Sequence, residues 1–147
     1  MDDYTRVSEP HPKSHRRAVV DDDGDSVWLY LTIPDSLDPS ADCWLYNRRR
    51  FTNAEVEAWP RDRPPPAPEG TAHPDSSRDS PLPEGIEFHW DKDGESVAVS
   101  FEGETLGFIA AGQHLGYSRY LALTGPWGSP FDHRAFEALF GSGRPAA

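Results

Sequence analysis

Residues 83–111, PEGIEFHWDKDGESVAVSFEGETLGFIAA, read as three short strands joined by two tight turns. Ile86, Phe88 and Trp90 alternate with Glu87 and His89. Val97, Val99 and Phe101 alternate with Ala98 and Ser100. That period of two is the signature of half-buried strands. Asp91-Lys92-Asp93-Gly94 has tight-turn chemistry, and Glu102-Gly103 suits a two-residue hairpin. The third strand covers Thr105 to Ala111, and Gly107 inside it predicts a bulge or the close approach of another backbone. The rest of the chain reads as pieces that pack onto this meander.

Upstream, residues 1–15 are polar and without period, and are expected to be a flexible tail. Ala18-Val19-Val20 reads as a short edge strand. Asp21 to Asp25, with Gly24 for positive φ, reads as a turn. Ser26 to Ile33 reads as an aromatic and branched strand, at least partly covered on both faces and ended by Pro34. Residues 35–42 read as a loop and Cys43 to Asn47 as a strand. A basic island, Arg48-Arg49-Arg50, precedes a short helix over Thr52–Trp59. Thr52 and Glu55 stand at capping-box spacing there. Residues 60–84 are rich in Pro, Ser and charge with almost nothing to bury, and read as a solvated loop with a polyproline II run at Pro64–Pro68.

Downstream, residues 112–131 are Gly-studded and aromatic. Ser129-Pro130 is expected to open a helix running to about Phe140, with Phe136, Leu139 and Phe140 on its apolar stripe and Gly141 as its stop. Residues 142–147 are expected to fray. The expected fold is one α+β domain over residues 16–141. It has a twisted, mainly antiparallel sheet, a central three-strand meander, a short mid-chain helix and a C-terminal helix.

The bulk numbers bound the function. The net charge is -11 over 147 residues, which argues against a nucleic-acid or anionic-membrane partner and suits a basic protein partner. Hydrophobic residues are 36% of the chain, so five Trp, five Tyr and seven Phe must carry much of the core. Cys43 is the single cysteine, so no intrachain disulfide forms. The first residues lack the apolar core of a secretory signal and no apolar run approaches a membrane span, so a cytoplasmic protein is expected.

Catalytic and metal signatures fail on spacing. Aligning Gly24 or Gly94 with the glycine of an EF-hand places Val19 or His89 where the first acidic ligand belongs. His89 and Asp91 share one side of a strand but lack a third metal ligand. The run Gly116-Tyr117-Ser118-Arg119-Tyr120 lacks the closing glycine of a nucleophile elbow. No cofactor or metal is therefore expected. The features left are binding features. Tyr117, Arg119, Tyr120 and Trp127 are interface-type residues in a Gly-flanked loop. The meander carries Glu87, Asp91, Asp93, Glu95, Glu102 and Glu104 against Lys92.

The meander resembles a small bacterial domain family of unknown function. The likeness rests on Trp90, Asp93-Gly94, Val97 to Phe101, Glu102-Gly103, Phe108 and Gly116-Tyr117-Ser118-Arg119, with Trp44-Leu45-Tyr46-Asn47 as a preceding strand. It covers about half the chain and carries no activity over. Small acidic domains of this kind are similar to immunity proteins of bacterial competition systems. The function expected is a non-catalytic cytoplasmic binding protein, of the immunity type that masks a basic toxin. Its partner would meet Tyr117, Arg119, Tyr120, Trp127, Glu102 and Glu104. The alternatives are an enzyme whose site assembles from His89, Asp91 and His114, and a structural or assembly subunit.

Overall fold

The computed structural model describes residues 5–79, 82 and 84–141. Its architecture is mainly β, in two sheets. The first holds β1 (Thr5–Pro10), β2 (Arg17–Asp22), β3 (Ser26–Thr32) and β4 (Pro39–Asn47), antiparallel and in chain order. The second holds β5 (Ile86–Trp90), β6 (Val97–Phe101), β7 (Glu104–Ile109), β8 (Tyr117–Ser118) and β9 (Ser129–Pro130). It is antiparallel except for the β8–β9 pair. Helices are short: α1 (Asn53–Glu57), and α2 (His133–Phe136), which runs on as a π-helix over Glu137–Gly141.

Register turns the alternation into a core. Val97 faces Trp90, Val99 faces Phe88 and Phe101 faces Ile86. Residues opposite one another on antiparallel strands share a face. These side chains join Leu106 and Ile109 against Ala18, Val20, Leu29, Leu31, Cys43 and Leu45 of the first sheet. Each fully buried Val, Leu or Ile there is worth about 1.5–3 kcal/mol, several times an exposed ion pair. The core between the sheets therefore dominates stability.

The meander pairs as β5–β6–β7, its third strand running over Glu104–Ile109 rather than Thr105–Ala111, and Gly107 marks a close approach. A Cβ on Gly107 would lie 2.8 Å from Leu45 Cδ2 and 2.9 Å from the Tyr117 carbonyl oxygen. The β6–β7 register also slips beside it, between Val99 and Ser100. Next to this contact the two sheets are joined by backbone: the Asp42 N–H donates to His114 O, and the Gly116 N–H donates to Asp42 O (both 2.9 Å).

Several expectations are corrected. The single sheet is two sheets, and the helices bury no residue fully. Thr5–Pro10, placed in a flexible tail, is the edge strand of the first sheet, because Val7 packs on the core and Trp90 Nε1 donates to Glu9 (2.8 Å). Ala18–Val20 is consequently in an interior strand. Residues 39–42, placed in a loop, extend β4. The C-terminal helix starts at His133, where the Asp132 side chain caps the Ala135 N–H; Ser129–Pro130 instead pair with β8. The mid-chain helix carries both halves of its capping box. Residues 1–4, 80, 81, 83 and 142–147, including the expected frayed end, lie outside the described residues.

The proline-rich segment is not a solvated loop. Ala67, Ala72, Ser76 and Leu82 are buried. Ala67 and Ala72 pack with Trp28, Trp44 and Leu121 in a second apolar cluster on the outer face of the first sheet. Small side chains let the backbone come close to the two indoles, and prolines need no N–H partner. That is how so polar a segment comes to cover tryptophan.

Candidate binding surface

The hairpin between β6 and β7 turns through Glu102 (φ 51) and Gly103 (φ 82). Two successive positive φ values match the right-handed twist of the strands. Glu102 holds a left-handed conformation that non-glycine residues rarely adopt. The turn leaves the Glu102 side chain exposed and starts β7 with Glu104.

Glu104 is tied into its surroundings. Tyr120 Oη donates to Glu104 Oε1 (3.0 Å), and Arg119 Nε lies 3.9 Å from Glu104 Oε2. Arg119 Nε donates to the Thr105 carbonyl, and its guanidinium lies 5.1 Å from the centre of the Phe131 ring. Burial pushes the Tyr120 hydroxyl above its ordinary pKa, and the bond to Glu104 adds to that. Tyr120 therefore stays a donor at neutral pH. Tyr117 stacks on Phe108, with ring centres 4.7 Å apart.

The structure thus gathers Glu104, Arg119 and Tyr120 at the base of a hairpin tipped by Glu102. Trp127 does not join them. Its indole N–H donates to Pro65 O (2.9 Å) and its ring packs, as Tyr120 also does, on the cluster of Trp28, Trp44, Ala67, Ala72 and Leu121, so it fastens the proline-rich segment.

The acids of the meander divide into two ends. At one end Asp91 Oδ1 accepts from the Glu95 and Ser96 N–H groups, Asp93 pairs with Lys13 (2.8 Å), and Glu95 pairs with Arg16 (2.7 Å). The Lys13 ammonium holds the Asp93 carboxyl below the usual range. At the hairpin end stand Glu84, Glu87, Glu102 and Glu104, all exposed. Two cations accompany them: Arg119, and Arg78 over the Phe101 ring (5.4 Å). The acidic excess therefore collects at the hairpin end. The basic island does not offset it, because Arg48 binds buried Asp22, Arg49 pairs with Glu55, and Arg50 lies 3.7 Å from Glu69.

His89, Asp91 and His114 are not brought together. His89 and His114 line different grooves, and Asp91 caps its own turn. His89 Nε2 instead lies 2.8 Å from Ser100 Oγ, a contact not foreseen from the sequence. A single face-sharing step makes it: His89 opposes Ala98, and Ser100 lies two residues on along β6. Glu87 Oε1 approaches the same Nε2, at 3.9 Å. An orienting carboxylate of a hydrolytic triad would take the other ring nitrogen. Cys43 is buried, and burial together with the Asp42 charge pushes its thiol up, so it stays protonated. Among the described residues no three His, Cys, Asp or Glu side chains are placed to hold a metal ion, and no helix is long and apolar enough to cross a membrane.

Compared with protein-family models, with curated proteins and with solved structures, the chain gives no match.

Proposed function

We propose that this chain is a non-catalytic cytoplasmic binding protein that receives a basic protein partner on the hairpin end of its second sheet, in the manner of an immunity protein masking a basic toxin. The observation that carries this reading is the sorting of charge along the meander. At one end Asp93 and Glu95 pair with Lys13 and Arg16, while at the other Glu84, Glu87, Glu102 and Glu104 stand against Arg78 and Arg119. A net charge of -11 would steer a cationic partner toward such a surface and make its approach salt-dependent. Tyr120 and Arg119 hold Glu104 in place, which lowers the entropy lost when it is bound.

The test is a pull-down of the neighbouring gene's product by the purified chain at low and high salt. Binding should weaken with salt. The pair Glu102→Lys and Glu104→Lys should reduce it by about tenfold or more, two charge reversals at a steered interface. Absence of binding, or binding indifferent to salt and to both reversals, would overturn the reading.

A further inference from the structure

A groove of about 230 Å³ runs between the outer face of the second sheet and the C-terminal helix. Glu87, His89, Ser100 and Thr105 line one side, and Phe136 and Phe140 the other. The two rings are fixed. Their centres lie 5.1 Å apart, and each packs against Phe108, at 5.6 and 5.9 Å. The helix changes from α to π between them, after Phe136, a winding found often at functional sites. On the facing wall, His89 is held by Ser100 and approached by Glu87, whose side chain is 71% exposed.

We propose that this groove takes a lysine or arginine side chain of the basic partner, a step that rests on the binding reading above. The chemistry of the walls selects that occupant. The two phenyl rings would cover an aliphatic stem and offer their faces to a cation. Glu87 would supply the opposing charge, and the Thr105 hydroxyl an acceptor for an ammonium or guanidinium N–H. An anion would meet Glu87, and a purely apolar group would make no use of Glu87 or of the Thr105 hydroxyl. The groove also adjoins the hairpin: Gly103 reaches its rim, between Glu102 and Glu104. A partner drawn to the hairpin would already hold its basic side chains beside the opening.

The experiment is an NMR titration of the full chain with Nα-acetyl-lysine amide and Nα-acetyl-arginine amide, with the Nε-acetylated lysine compound as the uncharged control. Saturable shifts confined to the amides of Glu87, His89, Ser100, Thr105, Phe136 and Phe140, absent with the control, are expected. Glu87→Gln should weaken the cationic probes by about fivefold, as loss of an exposed charge pair does. Phe140→Leu keeps an apolar filler but removes a π face, so it should weaken them by about threefold while the Phe108 and Tyr117 resonances stay dispersed. Shifts that are absent, equal with the control or unchanged by Glu87→Gln overturn the proposal. Binding of the basic protein that falls with Glu102→Lys but ignores both Glu87→Gln and Phe140→Leu also overturns it, and leaves the hairpin reading standing. Groove binding of the probes with no basic protein bound at all sinks the parent reading instead.

Discussion

The residue whose surroundings are most demanding is Asp22. Its carboxylate is completely buried, and it accepts both contacts from Arg48 Nη1 (3.1 Å each) together with the Gly24 and Leu82 N–H groups (2.9 Å each). It joins the turn after β2, the start of the basic island and the far end of the proline-rich segment. Burial pushes the neighbouring Tyr46 hydroxyl up to about 12, and the Asp22 charge adds to that. Asp22→Asn should destabilise the fold by about 3 kcal/mol or more in urea unfolding, because Arg48 is left without its counter-charge. Adding Arg48→Met should recover part of the loss, and no recovery would mean that the ion pair is not what Asp22 is there for. Asp42 lies elsewhere, in β4. Burial alone raises its carboxyl pKa, so the folded state prefers the protonated form. Stability from this group is greatest in acid and is lost as pH rises through its raised folded value. Asp42→Asn should therefore raise Tm at pH 7 and leave it unchanged at pH 3. A lower Tm at pH 7 would show instead that the carboxylate is stabilising.

Among the elements, β7 packs directly on β4 of the first sheet, and Gly107 is the position that permits the approach. An alanine there meets Leu45 Cδ2, which can rotate away, and the Tyr117 carbonyl, which is paired backbone and cannot move freely. Gly107→Ala should cost about 1–3 kcal/mol as overpacking. Leu45→Val added to it should relieve only part of that cost, whereas full relief would place the clash at Leu45 alone. This glycine was legible in advance, as were β5, β6 and the two turns, because alternation, Asp-Gly and Glu-Gly are local signals. Strand β1 was not. Its apolar content is Val7 in a string of polar residues, and its pairing with β2 is a tertiary decision. The same limit applies at the surface. Arg119 and Tyr120 are close in sequence, and Glu104 begins a strand already read, so their residue types could be named. That Trp127 reaches Pro65, or that Ser100 reaches His89, depends on register and on a segment with no periodic signal.

At the scale of the whole molecule the proline-rich segment is a strap across the first sheet. Its backbone is tied along its length: Glu69 N–H to Phe51 O, His73 N–H to Tyr120 O, Arg78 N–H to Asn47 O, and Ala122 N–H to Thr71 O. The central anchor is Asn47, which is 3% exposed. Its Oδ1 accepts from Trp44 Nε1 (2.8 Å) and from the Ala67 N–H (3.3 Å), and its Nδ2 donates to Ala67 O (2.8 Å). Asn47→Ala would leave all three partner groups buried and unpaired, for a loss of about 1–3 kcal/mol or more. Among its described residues the strap has no helix or named strand to hold it, so the loss should appear there first, as local opening ahead of global unfolding. Trypsin should then cut the variant after Arg78 faster than the parent, while cutting after Arg17 in β2 keeps its parental rate. Tryptophan emission should shift to the red as Trp28 and Trp44 meet water. Equal acceleration at both arginines would mean that the strap and the sheets unfold as one unit, so that the segment is a full part of the core rather than a cover laid over it.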